Sequence, residues 1–275
     1  MTQPSETPVC VSDDNFNVVV LSDIHFGAMW GKSVYRELDE VFLDKIRNMN
    51  KDKEGGEAHL VVITGDFFDR RLDMNSSDIY YAFKFMMDLV KTMKGKPIRI
   101  LRGTRSHDHN QLKNFKIFEE SDVKIIEKVS IENLYDGDLK VLYIPEEYPK
   151  GKWTDYYSDF LDFSDEEGDL YDLIFLHGTI DKVAQDVNLI DSERHINSAP
   201  VFPVKTLMNS ANVIMAGHIH TPTVYKKKFH YVGSFSRFAH GEEHDKGFKV
   251  LQYNPIEKTF KVEFIKNHLA KEFNT

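Results

Sequence analysis

A chain of 275 residues with 41% hydrophobic and 29% charged side chains has the material for a full-sized core, which excludes a wholly disordered or fibrous protein. Its formal net charge of −9 argues against a protein that coats nucleic acid through bulk positive charge, and no apolar run approaches the roughly 18–20 residues that span a membrane. Cys10 is the only cysteine, so no internal disulfide can form, and MTQPSETPVCVSDDN lacks the basic and apolar regions of a signal peptide. A reducing, cytoplasmic setting is therefore expected.

Residues 1–14 read as a flexible tail, 15–265 as one domain, and 266–275 as a C-terminal tail. The first strand is NVVVLSD (17–23). A helix over 33–49 follows, with Val34, Leu38, Val41, Phe42 and Ile46 at helical spacing. AHLVVITGD (58–66) is the second strand. A second helix spans 76–93, capped by Ser76 or Ser77, with Ile79, Phe83, Met86, Met87 and Val90 as its apolar stripe. PIRILRG (97–103) is the third strand. The β-α-β-α-β order predicts a parallel sheet with helices on its faces. Seven more strands are predicted: VKIIEKV, LKVLYIP, DLIFLHG, NVIMAGH, FHYVGSF, FKVLQYN and FKVEFIK. Asp136-Gly137 marks a hairpin between the first two of them. The fold class is α/β, with two sheets in a sandwich. The acidic stretch 155–172, with eight acids and no bases, reads as a solvated helix and loop, and YKKKFH (225–230) as a surface turn.

Polar residues collect where the strands run out. Asp23 and His25 follow the first strand. Asp66, Asp69 and Arg70 follow the second, and Ser106, His107 and Asp108 the third. His177 ends a fourth, and His218 and His220 a fifth. Ligands and reacting groups of α/β sheets gather at such carboxyl ends. In a chain with only twelve histidines, this convergence points to a joint metal site. Imidazole mixed with carboxylate and without thiolate suits Mn, with Fe or Zn as alternatives, better than Ca or Mg. So many ligands suggest two ions with a shared carboxylate.

The order D-x-H, G-D-x-x-D-R, an altered G-N-H-D, H-G and G-H-x-H resembles the calcineurin-like metallophosphoesterases. The resemblance spans residues 23–220 and implies a two-layer β-sandwich flanked by helices. It implies that Asp23, His25 and His220 hold one ion, that His177 and His218 hold the other, and that Asp66 bridges. His107 would act on the leaving group, with Asp69 orienting it and Arg70 meeting phosphate. Ser106 stands directly before that histidine, where the family has an asparagine ligand, and is the expected substitute. Arg102 and Arg105 either meet substrate phosphates or pair with nearby acids.

HYVGSFSRFAHGEEHDKGFKVLQYN (230–254) further resembles the segment after G-H-x-H in the Mre11/SbcD repair nucleases, through Tyr231, Gly233, Ser234, Arg237, Glu242, Glu243, Lys246, Gly247 and Phe248. That likeness implies a DNA exonuclease or endonuclease using two ions and hydroxide attack on the phosphodiester. It further implies a Rad50/SbcC-like ATPase partner and leaves a homodimer open. A full DNA-capping domain is not expected. A hydrolase of small nucleotides or phosphoproteins would keep the same site, and a non-catalytic scaffold is the remaining alternative.

Overall fold

The computed structural model describes residues 15–51, 56–163, 171–181, 183, 200–239 and 242–271. Two six-stranded sheets pack face to face. The first has the order β14-β13-β1-β2-β3-β4 and the second β11-β12-β10-β7-β6-β5. In the first sheet β1 (Phe16–Leu21), β2 (Leu60–Ile63), β3 (Ile98–Leu101) and β4 (Val123–Ile126) run parallel, and β13 (Gly247–Asn254) and β14 (Thr259–Lys266) join as an antiparallel hairpin beside β1. In the second, β6 (Leu139–Ile144), β7 (Tyr171–His177), β10 (Ala211–Gly217) and β12 (Phe229–Tyr231) run parallel, with β5 (Ser130–Leu134) and β11 (Thr223–Tyr225) antiparallel at the edges. A separate parallel pair joins β8 (Thr179–Ile180) to β9 (Val201–Phe202).

The continuous apolar runs reflect strands buried on both faces. Side chains alternate across a strand. Val18 and Val20 of β1 and Leu173 and Phe175 of β7 therefore meet in the core between the sheets. Val19 and Leu21 face the helices of the first sheet, and Ile174 and Leu176 face the outer layer of the second. The architecture is helix–sheet–sheet–helix, the sandwich that the sequence implies.

The first helical run is α1 (Gly31–Glu37), a π-helical segment over Leu38–Leu43, and α2 (Asp44–Met49). The wider π turn lets the consecutive Val41, Phe42 and Leu43 all bury. α3 (Ser77–Met93) is capped by Ser76, whose hydroxyl accepts from Ile79 N at 3.3 Å, and it closes on Lys94 in the left-handed region. Its buried face is Ile79, Ala82, Phe85, Met86, Leu89 and Met93, so Met87, expected inside, points outward.

Several expectations shift. The Asp136-Gly137 turn links β5 to β6, whereas VKIIEKV contributes β4 to the other sheet. β5 and β11 are edge strands whose short patterns went unread. Of YKKKFH only the lysines form the turn from β11 to β12, with Lys226 and Lys227 at positive φ, while Phe229 and His230 are buried in β12. The acidic stretch begins on α5 (Trp153–Tyr157), where Asp155 is exposed, and ends inside β7, where Asp172 is buried and accepts from Tyr253 Oη at 2.6 Å. Residues 164–170 of it lie outside the described residues, as do residues 1–14. Asn267, expected in the tail, is buried and donates to Glu37 at 2.8 Å and to the Phe235 carbonyl at 3.0 Å. No described helix is long and apolar enough to cross a membrane.

Candidate metal centre

The carboxyl ends of β1, β2, β7 and β10 all open on one edge of the sandwich, and each delivers ligands as it leaves its sheet. Asp23, His25, Asp66 and His218 adopt positive φ values of 48°, 51°, 49° and 92°. Non-glycine residues held there cost on the order of 1–3 kcal/mol each and concentrate at functional sites. The sharp turn swings each side chain inward. Gly65, Gly103 and Gly217 allow the strand ends to close up: a Cβ on Gly103 would lie 2.2 Å from Asp66 Oδ1, and one on Gly65 would lie 2.3 Å from His177 Nδ1.

Two ligand groups result, joined by a third made of His25, Asp66 and His107. In the first, His25 Nε2 and His220 Nε2 face each other at 3.1 Å, and both stand about 4 Å from Asp23 Oδ1, at 4.0 and 3.9 Å. In the second, His177 Nε2 lies 3.4 Å from Asp66 Oδ2, with His218 beside them. Asp66 Oδ2 is also 3.9 Å from His25 Nε2, so this one oxygen stands between the groups. Its partner Oδ1 accepts from Thr104 N at 2.6 Å, which fixes the carboxylate plane.

These donors fit divalent ions. Opposed ring nitrogens at 3.1 Å cannot both donate, and His218 Nε2 is buried without a hydrogen-bond partner. Such a group is costly to leave unmet. The donors are nitrogen and oxygen without sulfur, a set that can hold divalent ions. Supporting contacts set the tautomers. His177 Nδ1 lies 2.7 Å from the Thr64 carbonyl, and His220 Nδ1 lies 2.8 Å from Glu242 Oε1, leaving each Nε2 for an ion.

Charge follows the same geometry. Burial raises the Asp66 carboxyl, but His177, His25 and His107 outweigh it and hold it well below its usual range. Burial disfavours the His177 cation, yet Asp66, Asp23 and Glu146 raise it to about 10. His218 falls to about 4, through burial first and then its charged neighbour His177.

The remaining residues divide. His107 lies in the same chamber, within ligand range of His25 and Asp66. Its Nδ1 meets the main-chain carbonyl of Asp69 at 2.5 Å. The orienting contact is thus a backbone oxygen rather than the Asp69 carboxylate, which instead faces His25 Nδ1 at 3.6 Å. Arg70 is exposed and pairs with Asp69 at 3.1 Å. Asp108 is fully buried, and its oxygens accept from Phe68 N at 3.0 Å and Gly103 N at 2.7 Å, tying two ligand loops together.

Ser106 is not brought into the centre. It is exposed on α4 (Arg105–Asp108). The buried Thr104 lies at the chamber wall instead, its hydroxyl 3.4 Å from His177 Nε2. The helical turn inserts two residues between the strand-end position and the histidine, so adjacency to His107 in sequence does not carry Ser106 inward.

Glu242 is a site residue whose role sequence reasoning missed. It is buried, orients His220, accepts from Phe238 N at 2.6 Å, and lies 3.4 Å from the buried Lys246 Nζ. The acidic-then-K-G-F pattern marked its position without its purpose.

The sequence profile of the calcineurin-like phosphoesterases matches residues 16–222. No curated protein matches. Among solved structures, GAP50, the anchor in the inner membrane complex of Plasmodium, is 13% identical over 94% of this chain and 86% of its own, with a TM-score of 0.52, a likeness of fold alone. A conserved uncharacterized protein of Streptococcus pneumoniae, described as a predicted phosphoesterase, is 16% identical over 92% of this chain and 90% of its own, with a TM-score of 0.38. A Thermus thermophilus protein is 8% identical over 92% of this chain and 100% of its own, with a TM-score of 0.45.

Proposed function

Because the chain belongs to the calcineurin-like phosphoesterase family, we propose that its metal-dependent phosphoester hydrolysis is directed at the phosphodiester bonds of DNA, with Mn as the preferred ion, as the nuclease subunit beside a Rad50/SbcC-like ATPase. The observation that carries the hydrolytic part is the meeting of two ligand groups at Asp66 Oδ2 with His107 in the same chamber. Two support the choice of substrate. One is the 230–254 segment with its likeness to repair nucleases. The other is the surface around α4. A cleft of about 420 Å³ on one side is lined by Arg102, Arg105, Tyr148 and Tyr156, and one of about 680 Å³ on the other by Arg71, Met74 and Asn114. His109 and Asn110 line both. The metal chamber itself, about 170 Å³, is smaller than either cleft, which leaves this surface to receive the rest of a substrate. Arginines hold phosphates and tyrosine rings stack bases, and the clefts offer both, beside the acids Asp73 and Glu147 that also line them.

Bound at the two groups, divalent ions would supply Lewis acidity toward the phosphoryl oxygens and make water nucleophilic at neutral pH. Asp23, His25 and His220 would hold one and Asp66, His177 and His218 the other, with Asp66 common to both. His107 carries a proton on Nδ1, held by the Asp69 carbonyl, and presents Nε2 to the departing sugar oxygen. In its protonated form it donates there, a contribution of roughly 10²–10⁴ in rate. Arg70 at the rim offsets charge on the phosphate.

The test is incubation with Mn and labelled single- and double-stranded DNA, beside a chromogenic phosphodiester. Mn-dependent DNA cleavage that a candidate ATPase with ATP alters is expected. Turnover of the small diester with intact DNA would overturn the substrate assignment, and indifference to the ATPase would remove the partner.

A further inference from the structure

A sixth strand end reaches the centre, and no family motif marks it. Beyond β6 the chain runs Ile144-Pro145-Glu146, and Glu146 N donates to the Arg102 carbonyl at 3.0 Å, fastening it beside the end of β3. The Glu146 side chain is buried at 3% exposure. One oxygen accepts from Tyr148 Oη, and the other, Oε2, lies 3.3 Å from the Thr104 hydroxyl. Among the described residues no lysine or arginine makes an ion pair with its carboxyl group; Arg102 donates instead to its main-chain carbonyl at 3.1 Å. The same Thr104 hydroxyl lies 3.4 Å from His177 Nε2.

We infer that Thr104 and Glu146 together supply the oxygen side of the second ion's shell, with Thr104 as the ligand and Glu146 as its positioning residue; this rests on the two-ion reading above. The proton positions follow from the partners. As a carboxylate Glu146 offers Oε2 only as an acceptor, and His177 already turns Nδ1 to the Thr64 carbonyl. Once His177 Nε2 is engaged by an ion, the acceptor left for the Thr104 proton among the described residues is Glu146. The hydroxyl then donates to the carboxylate and turns its lone pairs toward the ion. A neutral oxygen polarised in this way takes the place of an amide carbonyl, and the negative charge behind it balances an ion that otherwise shares one carboxylate, Asp66, with its neighbour.

The test is calorimetric Mn titration of the full chain, with electron paramagnetic resonance to detect coupled ion pairs. Wild type should take up two ions. Thr104→Val and Glu146→Gln should each weaken the second uptake by roughly 10–100-fold and leave the first unchanged. The double variant should be no weaker than the worse single one, because the pair acts as a unit. Thr104→Ser should restore wild-type uptake, and Ser106→Ala should leave both steps unaltered. Unchanged first-ion uptake in each variant verifies the fold. Two ions in wild type with an unaltered second step in Thr104→Val, or additive losses in the double variant, would overturn this inference alone. Fewer than two ions in wild type would overturn the two-ion reading and this inference with it.

Discussion

Replacing Glu242 by Gln leaves the shape of the loop between β12 and β13 nearly intact while removing one charge from its centre. Burial raises the Glu242 carboxyl, but the His220 hydrogen bond, Lys246 and Phe238 N outweigh it and bring it to about 2, against an ordinary 4.5. At about 1.4 kcal/mol per pH unit, this corresponds to about 3 kcal/mol of native stability at neutral pH. Breaking a buried pair by removing one partner costs a similar ~3–5 kcal/mol, and Lys246 Nζ lies 3.4 Å from the Glu242 carboxylate. The folded-state value is depressed, so the contribution is complete above pH 4.5 and disappears as pH falls through that value toward 2. Urea denaturation of the ion-free protein at pH 7 should therefore show Glu242→Gln less stable by about 3 kcal/mol, with the two proteins converging as pH falls below about 4. Glu243, the exposed neighbour, should tolerate the same change within about 0.5 kcal/mol. A Glu242→Gln protein within 1 kcal/mol of wild type at pH 7 would refute the reasoning, as would a gap that persists unchanged at pH 2.5.

Asp66→Ala should abolish hydrolysis and uptake of both ions, because its Oδ2 faces both ligand groups; two tightly bound ions in metal analysis of the variant would remove it from that place. His107→Ala should slow turnover by roughly 10²–10⁴ while calorimetry still counts two ions, and wild-type turnover would deny it a catalytic part. Lys249 is buried, which lowers its ammonium to about 7 from 10.5. The unfolded chain binds that proton between those values and the native protein does not, so stability should rise with pH from about 7 to 10.5. Lys249→Met should accordingly raise the urea midpoint at pH 7 by an amount equal to about 2–4 kcal/mol, a gain that disappears near pH 10.5. Arg102→Ala with Arg105→Ala should raise KM for DNA about tenfold in low salt and flatten its salt dependence, with a smaller effect on a small diester.

What could be read from the sequence follows its physical period. Strands buried on both faces, such as Val18–Leu21 and Leu60–Ile63, stand out as unbroken β-branched runs, and the polar residues just beyond them mark the ligand edge directly. Alignment to a motif misled at Ser106, because the helical turn Arg105–Asp108 separates Thr104 from His107 by geometry that one-letter spacing does not record. The family pattern implies an orienting carboxylate at Asp69, but the contact it makes to His107 is a main-chain oxygen, which no side-chain pattern encodes. Glu146 follows β6 without any motif, and Glu242 meets His220 only because β12 and the following loop fold back over the edge. Strands β5 and β11 were missed because an edge strand with mixed burial has neither a long apolar run nor clean alternation.

The antiparallel seam between β1 and β13 pairs Val18 with Leu251, nearly the full length of the chain apart. On a ribosome the strand that leads to Asp23 and His25 emerges long before the neighbour that covers its flank. Until residues 247–254 arrive, β1 is an uncovered border, apolar on both faces, and an open border of that kind invites pairing with other chains. Closing so long a loop is slow. Interrupted synthesis before β13 should therefore yield aggregates rather than a weak enzyme. Full ion uptake, with Glu242 holding His220 from the loop just ahead of that strand, should therefore follow the closing of this seam.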